Sequence, residues 1–142
     1  MTQLAFAQTG DAAEPAQIVR DFLAAFNAHD SRAMGELVTD EIQWLSVSAA
    51  AVTVEVEGKA ALISAMDGYF QSCTTCQSKI AAMMVSGQRV SAVEIASWNG
   101  ENGLQSQQSM SVYEFSGPLI TRVYYYPSEP VADVQLSKAP SP

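Results

Sequence analysis

The feature that most limits the fold is a run of four strand-like segments, with no helix between them, over residues 79–127. The segments read KIAAMMVS, VSAVEIASW, LQSQQSMSVYEF and LITRVYYYP, and they are separated by SGQR, NGENG and SGP. Breaks that contain Gly and Asn favour tight turns between antiparallel strands. The second half of the chain is therefore predicted to be an antiparallel meander.

The first half of the chain shows helical patterns. Apolar residues recur at spacings of three and four from Ile18 to Phe26, so a helix is expected to start near Pro15. Asp30 is a good N-cap for a short second helix ending near Thr39, and KAALISAMDGYFQS fits a third helix. Two β-rich stretches, IQWLSVS and VTVEVE, precede the third helix. Three N-terminal helices and a long meander predict an α+β fold in which a strongly curved, mostly antiparallel sheet wraps the helices.

The two ends of the chain lack these patterns. Residues 1–13 are expected to be a flexible N-terminus or, because Ala5-Phe6-Ala7 resembles a cleavage site, the remnant of a signal peptide. Residues 128–142 are rich in Pro, Ser and Ala and are expected to be a flexible tail. A single domain is predicted over residues 14–127. The expected location is the cytoplasm, with export as the alternative if a signal peptide preceded the domain.

The net charge of the chain and the motifs that it lacks argue against several classes of partner and cofactor. Seven Lys and Arg against fifteen Asp and Glu give a net charge of −8, which repels nucleic acid and anionic membrane surfaces. No apolar run has the length of a membrane span. No His and carboxylate pair has metal-ligand spacing, and no glycine motif for phosphates or dinucleotides is present, so neither a metal nor a cofactor is predicted. His29, the only histidine, is expected to serve a turn between two helices.

The order of these elements resembles the nuclear transport factor 2-like superfamily, in particular its SnoaL-like bacterial members. Three stretches carry the resemblance: FLAAFNAHDSRAMGELVTDEIQW, VEGKAALISAMDGYF and VYEFSGPLITRVYYY. The resemblance implies a cone-shaped α+β barrel, often a homodimer, with a pocket between the concave sheet face and the helices. It implies no single function, because such cones serve isomerases, cyclases, dehydratases, hydrolases and binding modules.

Ketosteroid isomerases on this cone use an aspartate base and hold the enolate oxygen with a tyrosine and a protonated aspartic acid. By the resemblance, the base falls at Ser46, the tyrosine at Phe22 and the acid at Ser111. A phenyl ring donates no hydrogen bond, and a serine alone is not a general base near neutral pH. Steroid isomerisation by these groups is therefore not expected.

The same resemblance implies a polar pocket wall on the last three strands. Glu94 and Arg122 are its candidate catalytic residues, a carboxylate beside a guanidinium that acts as acid or base or anchors a ligand. The alternatives are a structural ion pair across the sheet, or a register that turns both side chains outward. The candidate ligand-binding residues are Phe22, Trp44, Ser46, Trp98, Gln107, Ser109, Ser111, Tyr124 and Tyr126. Tyr125 is expected to serve packing or a dimer surface instead.

These residues leave several functions open. The first is binding of a small, partly apolar organic ligand, with the specific activity unknown. The alternatives are a cofactor-free isomerase, cyclase or dehydratase that uses Glu94 and Arg122, and a protein-interaction module. A homodimer is expected through the convex sheet face, where four apolar residues are predicted to lie: Val93, Ile95, Val112 and Val123.

Cys73 and Cys76, the only cysteines, form a CxxC motif after the predicted third helix. A catalytic CxxC uses a helix N-terminus to stabilise its thiolate, whereas the carbonyl groups at a helix C-terminus disfavour it. Zinc would lack ligands, since two thiols and one distant histidine do not make four. A local disulfide and a pair of ordinary thiols remain, and the choice between them depends on the compartment.

Overall fold

A computed structural model describes the backbone of residues 2–131 and the side chains of residues 14–131. The chain forms, in order, α1 (Thr2–Asn27), α2 (Ser31–Gly35), β1 (Val38–Val47), β2 (Val52–Glu57), α3 (Lys59–Ser72), β3 (Gln77–Ser86), β4 (Arg89–Gly100), β5 (Gly103–Ser116), β6 (Leu119–Tyr125) and β7 (Glu129–Pro130). Helices α1 and α3 pack against one face of the sheet. The predicted α+β fold is confirmed.

The strands form one sheet in the order β2-β1-β6-β5-β4-β3, and β7 pairs with β5. All neighbours are antiparallel except β1 and β6, which run parallel. The longest pairing joins β4 and β5, from Arg89 opposite Glu114 to Gly100 opposite Gly103. Gly103 has a φ of 110°, a backbone conformation that favours glycine, and it closes this hairpin.

The core lies between α1, α2, α3 and the concave sheet face. Helix α1 buries Val19, Phe22 and Leu23 against it, because these residues share one helical face. Fully buried core residues come from helices and strands alike, and they include Val19, Met34, Val38, Ile42, Leu62, Val90, Tyr113, Ile120 and Val123. The side chain of Asn27 fixes the end of α1 to β3, donating to the Ser78 carbonyl and accepting from the Ser78 amide, both at 2.8 Å.

Three element bounds differ from the sequence predictions. Helix α1 contains Pro15 instead of starting there, so the ring removes a backbone donor inside the helix. Asp30 caps α2 as predicted, with its carboxylate accepting from the Ala33 amide at 3.0 Å, but α2 ends at Gly35. Val38 already belongs to β1, since it pairs with Ile120 of β6.

The predicted end segments are only partly described. Residues 128–131 of the predicted tail include β7, so pairing with Gln107 and Gln108 orders its first part. The side chains of residues 1–13 and all of residues 132–142 lie outside the described part of the chain. The predicted domain boundaries stay predictions. None of the described helices combines the length and the apolar character needed to cross a membrane.

A one-residue bulge in β6 decides which of its side chains face the helices. Phe115 pairs with Ile120, but Glu114 pairs with Arg122, so Thr121 is an extra residue in the ladder. Beyond the bulge Val123 faces inward and is fully buried, opposite Tyr113. The prediction that Val123 lies on the convex face is therefore wrong.

The other residues predicted for the convex face lie there. Val93 and Ile95 alternate with the inward Glu94 of β4, and Val112 alternates with the inward Tyr113 of β5. The homodimer through this face stays a prediction.

Of the two alternatives for the CxxC motif, the structure has the disulfide, with the Cα atoms of Cys73 and Cys76 5.6 Å apart. It closes the turn between α3 and β3. His29 stacks on Phe70 with ring centroids 4.5 Å apart, and its Nε2 lies 3.0 Å from the Cys76 carbonyl oxygen. His29 has a φ of 55° in the turn after α1, the turn role that the sequence predicts.

Candidate functional site

A cavity of about 290 Å³ lies between the helices and the concave sheet face. This volume is near the lower end of the range for small-molecule sites, about 300–1,000 Å³. Thirteen residues line it, and they come from all three helices and five of the strands: Phe22, Leu23, Phe26, Met34, Trp44, Met66, Tyr69, Ser78, Glu94, Ala96, Gln107, Ser109 and Tyr125. The lining is mostly aromatic and apolar, with few polar groups.

Glu94 is the buried charged residue of this cavity, with only 4 % of its surface exposed. Its Oε2 accepts a hydrogen bond from Tyr113 Oη at 2.5 Å and another from Ser111 Oγ. Its Oε1 accepts one from Tyr125 Oη at 2.9 Å. Within residues 14–131, no Lys or Arg forms an ion pair with Glu94. Hydroxyl donors alone therefore satisfy this carboxylate.

Strand pairing brings these donors together. Glu94 of β4 lies opposite Ser109 of β5, so Ser111 and Tyr113 follow on the same face two and four residues further along β5. Tyr125 of β6 lies opposite Ser111. Three adjacent strands thus place one carboxylate and three hydroxyls on the concave face, because side chains alternate and the bulge at Thr121 turns Tyr125 inward.

The two oxygens of Glu94 differ in what they can still do. Oε2 accepts two hydrogen bonds from fully buried residues, whereas Oε1 accepts one, from the cavity-lining Tyr125. A carboxylate oxygen has two lone pairs, so Oε1 keeps the capacity to accept from a bound molecule. Glu94 can therefore anchor a ligand donor or exchange a proton with it.

Aromatic rings form much of the remaining wall, starting beside Glu94. Trp44 and Tyr125 stack with centroids 5.0 Å apart and planes at 19°, and Phe22 lies 6.2 Å from Trp44. Phe26 and Tyr69 form a second pair, 5.7 Å apart. Such rings offer flat apolar surfaces to an organic molecule.

Burial and the nearby charge of Glu94 raise the pKa values of Tyr113 and Tyr125 well above the ordinary 10.0. Above pH 10.0 the unfolded chain releases these two phenolic protons, whereas the folded chain keeps them. The stability that the two tyrosines contribute is therefore fully present below pH 10.0 and is lost as the pH rises through their raised pKa values. In an alkaline titration followed by absorbance and circular dichroism, we expect part of the tyrosinate signal to develop only as the chain unfolds. Complete tyrosine ionisation in a chain that stays folded would contradict this prediction.

Several residues predicted for the site do line the cavity or touch its carboxylate. Phe22, Trp44, Gln107 and Ser109 line the cavity together with Glu94. Ser111 is fully buried behind them and donates to Glu94.

Arg122 is not beside Glu94, so that prediction is wrong. Its side chain is 50 % exposed on the other sheet face, where it pairs with Glu114 at 3.4 Å and donates to Gln43 at 3.2 Å. The reason is the bulge at Thr121. One extra residue in the strand places each later side chain on the face opposite to the one that regular alternation would give it.

Four further candidates lie outside the cavity lining. Tyr124 donates to Glu114 on the outer face, and Tyr126 borders a shallow groove on the convex side. Ser46 donates to the Glu55 carboxylate of β2 at 2.8 Å in an exposed bond. Trp98 shares the face of Glu94 but lies beyond Ala96, the last cavity-lining residue of β4.

Sequence reasoning missed two of the three donors to Glu94. Tyr113 was detectable, because it continues the alternation of Ser109 and Ser111 on β5. Tyr125 was predicted to serve packing or a dimer, and only the bulge brings it into the cavity. Among the described residues, no three His, Cys, Asp or Glu side chains come together in a way that could hold a metal ion.

Solved structures resemble this fold at low sequence identity. A cystatin-fold protein from Novosphingobium aromaticivorans matches with a TM-score of 0.69 and 21 % identity, over 78 % of this chain and 96 % of its own. A putative polyketide cyclase from Xanthomonas campestris matches at 0.61 and 17 %, over 82 % and 92 %. An epoxide hydrolase of the LEH-like type from M. tuberculosis matches at 0.64 and 15 %, over 81 % and 83 %. These similarities concern the fold.

Comparison with protein families gives a more direct assignment. No functionally curated protein matches the chain. The sequence profile of the SnoaL-like domain matches residues 19–123, which include every cavity-lining residue except Tyr125. The chain therefore belongs to the SnoaL-like family.

Proposed function

We propose that the protein binds a small, partly apolar organic molecule in this cavity, with Glu94 as its polar anchor. The observation that carries the proposal is the buried carboxylate of Glu94, which reaches a cavity walled by aromatic rings. An apolar cavity with a few placed polar groups is the usual form of a small-molecule site. Gln107 and Ser109 add hydrogen-bonding groups beside Glu94, so the ligand would carry its polar part toward the sheet.

A second candidate is a cofactor-free enzyme in which Glu94 is the general acid or base. The free capacity of Oε1 supports this candidate, because proton transfer needs a carboxylate oxygen within reach of the substrate. The same fold in an epoxide hydrolase and in a putative polyketide cyclase also supports this candidate, since one fold can carry different chemistries. Arg122 has no part in this candidate, since it lies on the other face.

The proposal predicts that filling the cavity weakens binding. Ala96 lines the cavity, so Ala96→Phe adds a ring inside it. We expect small amphiphilic compounds from a fragment library to bind the natural chain in ligand-observed NMR, and the variant to lose at least about tenfold in affinity.

Ser97→Phe is the matched control, because the neighbouring residue of β4 points to the other sheet face. It should leave binding unchanged. The proposal fails if no compound binds, or if both variants bind as the natural chain does. Incubation of each binder with the protein, followed by mass analysis, would distinguish an enzyme from a binding protein.

A further inference from the structure

We infer that the cavity selects organic cations, compounds with an amine or ammonium group on an apolar body; this rests on the proposed binding function. The starting point is the charge of the lining. Glu94 is the single carboxylic acid among the thirteen lining residues, and none of the thirteen is Lys, Arg or His. The cavity therefore offers a negative group and no positive one.

The surroundings of Glu94 supply hydrogen bonds without supplying a countercharge. Ser111, Tyr113 and Tyr125 donate through neutral hydroxyls, and the raised pKa values of the two tyrosines keep them neutral. Neutral donors stabilise a buried carboxylate but leave its charge uncancelled. A ligand that brings a positive charge would complete the site, since buried charges are usually paired.

The basic residues that form ion pairs in residues 14–131 do so with other acids, away from the cavity. Arg89 and Arg122 both pair with Glu114 on the outer sheet face. Lys59 pairs with Asp40 at 3.5 Å. Within this described part of the chain, a ligand's positive charge therefore competes with no basic side chain for Glu94.

The aromatic wall adds a second reason to expect a cation. Five of the thirteen lining residues are Phe, Trp or Tyr, and the faces of such rings attract ammonium groups, Trp most strongly. Tyr125 connects the two features, because it donates to Glu94 Oε1 and stacks on Trp44. An ammonium group near Oε1 would therefore also lie near the Trp44 ring.

Other ligand charges fit less well. An anion would meet the Glu94 carboxylate in a low-dielectric cavity without any basic side chain in the lining, which is strongly unfavourable. A neutral ligand would bury the carboxylate further without a countercharge. The net charge of −8 acts in the same direction, since it raises the local concentration of cations.

A matched ligand series tests the inference by isothermal titration calorimetry at neutral pH. Phenethylammonium, phenethyl alcohol and phenylacetate share a phenyl ring and differ in the charge of the polar end. We expect phenethylammonium to bind roughly tenfold more tightly than phenethyl alcohol, and phenylacetate to show no binding. Raising the salt concentration should weaken only the ammonium compound.

Glu94→Gln keeps the size of the side chain and removes its charge. The variant should bind phenethylammonium and phenethyl alcohol within about twofold of each other. Glu114→Gln is the matched control, because it removes the same charge from the outer sheet face and leaves the cavity untouched. It should keep the preference of the natural chain. Trp44→Leu provides a second test and should weaken the ammonium compound more than the alcohol.

The outcomes separate the two proposals. If phenethyl alcohol or phenylacetate binds as tightly as phenethylammonium, the preference for cations is refuted while the cavity remains a binding site. If Glu114→Gln lowers the preference as much as Glu94→Gln does, the effect comes from net charge and the inference also fails. If neither this series nor the fragment library binds, both proposals fail. The order of the three affinities for the natural chain tests the preference for cations even if a variant does not fold.

Discussion

Replacing Tyr113 by phenylalanine is expected to lower the free energy of unfolding by about 2 kcal/mol. Tyr113 is fully buried, and its hydroxyl donates to Glu94 Oε2 at 2.5 Å. Phenylalanine keeps the ring and its edge-on contact with Phe22, so the change removes one hydrogen bond and little packing. The buried carboxylate then loses a donor that water cannot replace. Urea unfolding followed by circular dichroism would measure the loss.

Tyr124→Phe is the matched control for this prediction. Tyr124 lies two residues after Arg122 on the outer face of β6, and its hydroxyl donates to Glu114 at 3.3 Å. Because that bond lies near solvent, its removal should change the free energy of unfolding by no more than about 0.5 kcal/mol. Equal losses in the two variants would show that the hydroxyl network around Glu94 does not stabilise the fold.

Replacing Phe22 by alanine is expected to have the larger effect, a loss of about 3–5 kcal/mol in the free energy of unfolding. Phe22 is 2 % exposed and contacts the rings of both Trp44 and Tyr113. Because Phe22 lines the cavity, its removal would leave a void that joins the existing one. Thermal and urea unfolding would both report the change.

Phe26→Ala is the comparison, because Phe26 has the same side chain one turn later on α1 and is only partly buried. It also lines the cavity, but less of its surface leaves water on folding. We expect about half the loss in the free energy of unfolding that Phe22→Ala causes. If both variants lose the same amount, the Phe22 ring contributes no more to the stability of the core than the partly buried Phe26 ring does.

The sequence was most informative where its patterns are local. The NGENG segment predicts the β4–β5 hairpin. The family resemblance, together with the alternation of side chains along these strands, implies that Glu94, Ser109 and Ser111 share the concave face, and the structure has them there. The registers of these strands follow from the turn, since no bulge interrupts their pairing. The helical face with Phe22 likewise follows from spacing alone.

The errors arise where pairing between strands overrides the local pattern. If β6 had continued from the SGP turn without a bulge, Arg122 would lie opposite Tyr113 and face inward, as predicted. The extra residue Thr121 shifts the pairing by one position. Arg122 therefore lies on the outer face, and Tyr125 lies on the concave face, where it reaches Glu94. Nothing in the letters LITRVYYY marks the bulge, because β-branched residues suit both registers. The end of α2 was predicted too late in the chain for a related reason. Val38 pairs with Ile120 of β6 and therefore belongs to β1 instead of α2.

The position of β6 in the sheet also bears on how a nascent chain acquires this structure. Among the described strands it is the last long one to be synthesised, yet it lies between β1 and β5 and joins the two parts of the sheet. Until β6 is available, β1 and β5 each have an unpaired edge, and apolar side chains that the folded core buries are exposed beside it. The parallel contact of Val38 with Ile120 must then close a loop of most of the chain, which slows folding. During synthesis the addition of β6 therefore covers the exposed edges and apolar side chains that would otherwise favour aggregation and chaperone binding.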